Sequence, residues 1–273
     1  MGEPTTVAVA VEGGVAHLWL DRPGQANAMN RALWSELREA VDALDRDPAV
    51  RVVVLAGKGK HFCAGIDLDM LADFRRVAGP GQDCAGRAAE ELRRIILDLQ
   101  DVITSVERCR KPVVAAVHGA CVGAGMDLAV ACDLRYATAD AKFVIKEIDM
   151  GLAADVGVLQ RLPRIVGEGV ARELAYTGRT VPGGEAEGLR LVNRAFADVE
   201  TLHAEVDALA VQLAAKPPLA LRGTKYAITY ARDHSVADGL EQIATWNGGM
   251  LLSADLDEAL AAFAEKRHGR YRD

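Results

Sequence analysis

The sequence predicts a mixed α/β core followed by a helical region. Short β-branched and small apolar runs dominate the first half, among them Val50–Ala56 and Val113–His118. From Leu159 onward apolar residues recur mostly at helical spacing, and Lys216-Pro217-Pro218 is the clearest break there. Half of the 273 residues are apolar, 26% are charged and only 5% are aromatic. That composition implies a globular core packed from many small side chains.

Thr6–Val11 and Val15–Asp21 are separated by Gly13-Gly14, which predicts a hairpin. Arg22-Pro23-Gly24 ends the second strand, and Gln25–Asn30 reads as loop. Asn30 is placed to cap a helix whose Leu33, Leu37, Val41 and Leu44 share one face, and Pro48 stops it. Val50–Ala56 is continuously apolar and too short for a typical helix, so it reads as a buried strand. Gly57-Lys58-Gly59-Lys60 is a turn; no Ser or Thr follows the lysine, so it is not a phosphate loop. A helix should begin near Asp67, followed by a linker-like Gly79-Pro80-Gly81-Gln82. Ala85–Arg108 is a long amphipathic helix by its Leu92, Ile95, Ile96, Leu99, Val102 and Ile103. Lys111-Pro112 breaks it. Val113–His118 is a second buried strand, Gly119–Gly125 a Gly-rich turn, and Met126–Ala131 a short helix. Leu134–Ala137 and Lys142–Ile145 read as strands, and Pro163 is expected to close the segment Lys146–Leu162. Helices follow over Gly169–Thr177, Gly183–Gly188, Val199–Ala215, Leu219–Arg232, Val236–Leu252 and Leu256–Arg267. No internal repeat is visible.

Several function classes are excluded at this level. A net charge of −7 argues against binding a nucleic-acid backbone, whose footprint is basic. The five cysteines are odd in number and contain no C-x-x-C pair. They read as free thiols in a reducing compartment, with no disulfide framework and no metal site. No apolar run approaches the length of a membrane span, and the start lacks the features of a signal peptide. Met1-Gly2 with Thr6 formally fits an acylation pattern, but Glu3-Pro4 inside it favour coincidence. A cytoplasmic location is expected.

Two segments share one plan. Val52–Ala56 runs through a glycine turn and Cys63-Ala64-Gly65 to a helix opening at Ile66-Asp67. Val113–Val117 runs through Gly119–Gly123 to a helix opening at Ala124-Gly125. Each ends in free backbone N–H groups at a helix start. If the two starts converge, one N–H from each can grip an oxygen that gains negative charge during reaction; otherwise they are ordinary strand-to-helix turns. Around them lie three acids. Asp127 sits one turn into the second helix, where the dipole alone favours it. Glu147 ends a strand beside Lys146. Asp155, eight positions further on, reads either as the N-cap of Val156–Leu162 or as an acid in a dry pocket. Asp149 competes with them. His118 reads as a packed core histidine. No nucleophile is paired with a base, so the residues point to proton transfer next to a carbonyl.

These motifs resemble the enoyl-CoA hydratase/isomerase (crotonase) superfamily. The residues that carry the likeness are Arg22-Pro23 with Asn27–Asn30, Phe62–Leu68, Gly119–Leu128 and Ala131–Ala137. The resemblance implies a crotonase-like spiral of ββα units over residues 1–198, holding the active site. A C-terminal helical region over 199–273 would mediate homotrimers or dimers of trimers. It also maps an oxyanion hole onto the N–H groups of Ile66 and Ala124. Coenzyme A would run past Gln25, Ala26 and Ala28, and past Ala64, Gly65, Ile66, Asp67 and Leu68. Gln25 departs from the basic residue often found there. The helix holding Phe263 and Lys266 is implied to reach the nucleotide.

Within the superfamily the motifs most resemble Δ3,5-Δ2,4-dienoyl-CoA isomerases, carried by Ala64–Leu68, Met126-Asp127-Leu128 and Lys146–Gly157. Hydratases of this kind typically have glutamates at the positions of Asp127 and Glu147, and glycine in place of Asp155. The implied chemistry is a proton shift along a conjugated acyl chain, with Glu147 at C2, Asp155 at C6 and Asp127 orienting or tuning. The acyl-CoA is the substrate and no separate cofactor is implied. An enoyl-CoA hydratase using Asp127 and Glu147 is the nearest alternative, and a non-catalytic acyl-CoA binder a more distant one.

Overall fold

The computed structural model describes residues 6–273, so the Met1-Gly2 pattern lies outside the described residues. Strands β1 (Val7–Glu12) and β2 (Val15–Leu20) form the expected hairpin, with Val9 opposite Leu18. Helix α1 (Arg31–Arg46) follows a short 3-10 turn; the Asn30 side chain accepts the Leu33 N–H at 2.9 Å, which satisfies one orphan donor of the helix start. Strand β3 (Val52–Gly57) leads to α2 (Leu68–Ala78), whose N-cap is Asp67, and then to α3 (Ala85–Arg108). Strand β4 (Val113–Val117) is followed by β5 (Ala120–Val122) and α4 (Ala124–Ala131). Next come β6 (Leu134–Thr138), β7 (Lys142–Val144), a 3-10 turn at Glu147–Met150, α5 (Val158–Val166) and α6 (Glu168–Thr177). Strand β8 (Val181–Pro182), α7 (Gly183–Gly188), β9 (Arg194–Phe196) and α8 (Val199–Ala214) precede the last helices α9 (Pro218–Asp233), α10 (Val236–Met250) and α11 (Ala254–Ala264).

The main sheet has the order β1-β2-β3-β4-β6-β9, antiparallel at β1/β2 and parallel elsewhere; β5, β7 and β8 form a smaller second sheet. Period-2 alternation explains why its central strands are apolar at every position. Val53, Leu55, Ala115 and Val117 point into a large core with α1, α3 and α4. Val52, Val54, Val114 and Ala116 point to the other face, where Leu202, Val206 and Ala210 of α8 cover them. Each such Leu contributes about 1.5–3 kcal/mol when fully buried. Helix α8 therefore belongs to the sheet's outer layer, although its helical pattern grouped it with the C-terminal region from residue 199. The helices that stand away from the sheet begin at Pro218.

Three expectations change. Gly119–Gly125 is not simply a turn, because Ala120–Val122 pairs in parallel with Lys142–Val144. The short strands β8 and β9 interrupt the stretch read as helical. Pro163 lies inside α5 and does not end it. A proline there removes one helical N–H donor. Burial of Val158 and Leu162, with Ile165 and Val166 packed on the core, holds the helix through it. Among the described residues no helix is long and apolar enough to cross a membrane.

Candidate active site

The two glycine turns do converge. The Cys63 N–H donates to the Ala120 carbonyl at 2.9 Å, and the Val122 N–H donates back to the Cys63 carbonyl at 3.0 Å. A Cβ at Gly125 would stand 2.6 Å from the Cys63 carbonyl oxygen, closer than any side chain tolerates, so this approach requires glycine. A second bridge, from Met29, passes over the Ile66 N–H: the Met29 N–H donates to the Gly65 carbonyl, and the Asp67 N–H to that of Met29. Ala124 opens α4, where the first N–H groups have no partner within the helix. Among the described residues neither the Ile66 nor the Ala124 N–H meets a protein acceptor. Both residues line one cavity of about 560 Å³.

That cavity runs between α2, α3 and the segment Glu147–Val156. Its apolar wall comes from Trp34, Leu71, Phe74, Leu92, Ile96, Leu99, Met150, Leu152 and Val156, and its carboxylates are Glu147 and Asp155. The long apolar face of α3 thus does two jobs. Val102 and Ile103 pack into the core, while Leu92, Ile96 and Leu99 face the cavity. The cavity-lining role of α2 was not foreseen, since an apolar helix face reads alike whether it meets protein or an apolar ligand.

The three acids occupy different positions. Glu147 is half-buried, its Oε1 beside the turn at Gly123, where an added Cβ would stand 3.0 Å from it. Its Oε2 is buried without a partner. Burial pushes its carboxyl above the usual range, and the like charge of Asp155 adds to this. Asp155 opens onto the same cavity; although the residue is exposed, partial desolvation raises its carboxyl too. Asp127 is fully buried and does not line the cavity. Its Oδ1 accepts the Val158 N–H at 2.6 Å, and its Oδ2 has no partner. Burial, with the nearby charge of Glu147, pushes its pKa up to about 8.

The capping assignments therefore exchange. Asp155 is not the N-cap of α5; that position is Gly157, and the orphan N–H of Val158 is satisfied by Asp127 from another helix. Asp127 serves a different helix from its own. Asp149 pairs with Lys146 at 2.6 Å and leaves the site. His118 is a packed residue whose Nε2 lies 3.0 Å from the Gly59 carbonyl.

The loop assigned to coenzyme A lies against the oxyanion turn. The Ala64 N–H donates to the Ala26 carbonyl at 3.0 Å, and Ala26 and Asn27 both adopt positive φ. Gln25 and Leu68 are exposed and do not line the cavity. Asp67 is engaged elsewhere, capping α2 and pairing with Arg22 at 3.0 Å. Its carboxylate is a brace for the loop, and its backbone is engaged too, the N–H with the Met29 carbonyl and the carbonyl with the Met70 N–H.

Residues 10–273 match the family model described as enoyl-CoA hydratase/isomerase. The chain is 46% identical over 260 residues to the peroxisomal Δ3,5-Δ2,4-dienoyl-CoA isomerase of Arabidopsis thaliana, covering 95% of this chain and 93% of that one. It is 46% identical to the mitochondrial Δ3,5-Δ2,4-dienoyl-CoA isomerase of Homo sapiens, covering 93% and 77%. Among solved structures it resembles an enoyl-CoA hydratase from Bacillus anthracis, with a TM-score of 0.88 at 32% identity over 98% of this chain and 99% of that one.

Proposed function

Because the chain belongs to the enoyl-CoA hydratase/isomerase family, we propose that it isomerises a 3,5-dienoyl-CoA to the 2,4-dienoyl-CoA. The observation that carries this reading is the placement of Glu147 and Asp155 on the wall of one apolar cavity that also holds Ile66 and Ala124. The thioester oxygen sits between the N–H groups of Ile66 and Ala124, each such donor contributing about 3 kcal/mol as charge develops there. The Glu147 carboxylate takes a proton from C2 and the electron pair delocalises into the carbonyl and the diene. Asp155, in its acid form, delivers a proton to C6, and the double bonds come to rest at C2 and C4. Two carboxyl groups are required because one cannot reach both ends of the conjugated chain. Asp127 acts as a positioning residue, fixing the start of α5 and so the loop that bears Asp155. The chemistry draws on no group beyond the coenzyme A of the substrate.

A homotrimer or a dimer of trimers is part of the same proposal. Apolar side chains stand exposed on the last three helices, Ile228, Val236, Leu240 and Phe263 among them, as expected of a surface that is covered in an assembly. Light scattering after size exclusion gives the mass, and a monomer at micromolar concentration refutes this element. The free cysteines fit a cytoplasmic location. The two relatives bear the names of peroxisomal and mitochondrial proteins.

The discriminating experiment presents one preparation with a 3,5-dienoyl-CoA and with a 2-enoyl-CoA, and follows thioester-conjugated absorbance. A gain of dienoyl absorbance with the first supports the proposal. Dominant loss of absorbance with the second, and no diene shift with the first, establishes a hydratase instead.

A further inference from the structure

Asp155 and Val156 form a wall common to two cavities. One is the apolar cavity that holds Glu147. The other, of about 570 Å³, lies behind Asp155 and is lined by Gln100, Thr104, Glu107, Gln160, Arg161 and Arg164. Gln160 and Arg164 are exposed, so this second space reaches bulk solvent. Nothing in the proposed reaction uses it, and its polar lining does not suit an acyl chain.

Resting on the isomerase reading, we infer that this polar cavity is the route by which Asp155 regains its proton between turnovers. Each turnover moves a proton from C2 to Glu147 and another from Asp155 to C6. The enzyme is left with Glu147 protonated and Asp155 ionised, and the next cycle needs the reverse. Among the described residues no side-chain hydrogen bond joins the two carboxyl groups, and Glu147 Oε2 has no partner at all. With no such bond to carry a proton directly, exchange with water is what remains. The acyl cavity cannot supply that water until product has left.

The second cavity can. At roughly 30 Å³ per water it has room for a connected chain of them. The Gln100 amide donates to the Asp155 carbonyl at 2.6 Å and holds that residue at the junction. Glu107, a half-buried acid of this space, is not a competing proton source: Arg161 and Arg232 both pair with it and keep it ionised. Asp233, at the mouth, is likewise held ionised by Arg232. Arg161 is fixed in turn by Thr104 at 3.2 Å. The cavity is thus a rigid polar vestibule with its single titrating carboxyl at the inner end. Asp155 reloads from one side while the acyl chain enters and leaves on the other.

Gln160→Trp and Arg164→Trp test this, both substitutions lying at exposed positions that fill the vestibule without touching the acyl cavity. Two quantities are compared with wild type: kcat, and the single-turnover rate constant with enzyme in excess. Protein equilibrated in light water is also mixed with substrate in heavy water, and the label at C6 of the first product is read by mass spectrometry. The expected result is a several-fold fall in kcat, a single-turnover constant within about twofold of wild type, and more protium retained at C6. Unchanged kcat and unchanged C6 label in both variants overturn the inference. A wild-type protein that does not convert a 3,5-dienoyl-CoA overturns the isomerase reading instead, so the two failures are distinguishable.

Discussion

Replacing Asp127 with asparagine isolates the consequence of burying a carboxyl in an apolar helix. Folding places this group where its pKa is about 8, against 3.8 for an ordinary aspartate. Between those values the folded chain binds one more proton than the unfolded chain. Stability contributed by this group is therefore present at low pH and lost as pH rises through the folded pKa. At about 1.36 kcal/mol per pH unit, the loss from about pH 5 to about pH 8 amounts to roughly 3–4 kcal/mol. Asparagine does not ionise, and its Oδ1 can still accept the Val158 N–H now held at 2.6 Å. The stability of the Asp127→Asn variant relative to the wild type should therefore rise by about that amount between about pH 5 and about pH 8. Urea unfolding followed by tryptophan fluorescence, at one protomer concentration, measures the difference at each pH. Stability profiles that run parallel, within about 0.5 kcal/mol over the whole range, would refute the reasoning. They would mean that water reaches Asp127 or that a partner holds its charge.

Asp155→Asn and Glu147→Gln should each lower isomerisation by about 10²–10⁴-fold while circular dichroism stays native, since each removes one proton-transfer group; near-normal turnover of a 3,5-dienoyl-CoA by either variant removes that residue from the mechanism. Because burial raises the Glu147 carboxyl, and only its ionised form accepts the C2 proton, the acid limb of the kcat/KM profile should fall above the ordinary glutamate range. An acid limb at or below that range contradicts this. Gly125→Ala should destabilise by about 1–3 kcal/mol through contact with the Cys63 carbonyl, read from the midpoint of urea unfolding. An unchanged midpoint would show that the two turns can part.

The parts of the fold legible in the sequence are those with a strong period. Val52–Gly57 and Val113–Val117 are apolar at every position because both faces of the sheet are covered. Helices α1 and α2 announce their starts through Asn30 and Asp67, whose side chains satisfy N–H groups of the first turn. Strands β5, β8 and β9 are two or three residues long, too short for any period to show, and exist because neighbouring strands hold them. For the site, acid identity and glycine spacing were visible. The partner of each acid was not. Asp155 stands close to the start of α5 in sequence, yet the cap comes from Asp127, 31 residues earlier. A hydrogen bond across that separation depends on how α4 packs on α5, which no local pattern encodes.

The loop from Gly151 to Gly157 has its two ends fastened independently of residue 155. At one end the Leu152 N–H donates to the Glu147 carbonyl at 3.0 Å; at the other, the Asp127 carboxyl holds Val158. Ala154 and Val156 are buried on either side, while the Asp155 side chain makes no hydrogen bond that the scaffold depends on. A residue so placed can be exchanged without refolding anything around it. In evolutionary terms this is a socket: single-codon changes at position 155 can try new reactions on an inherited oxyanion grip, and a failed trial sacrifices the chemistry but spares the protein.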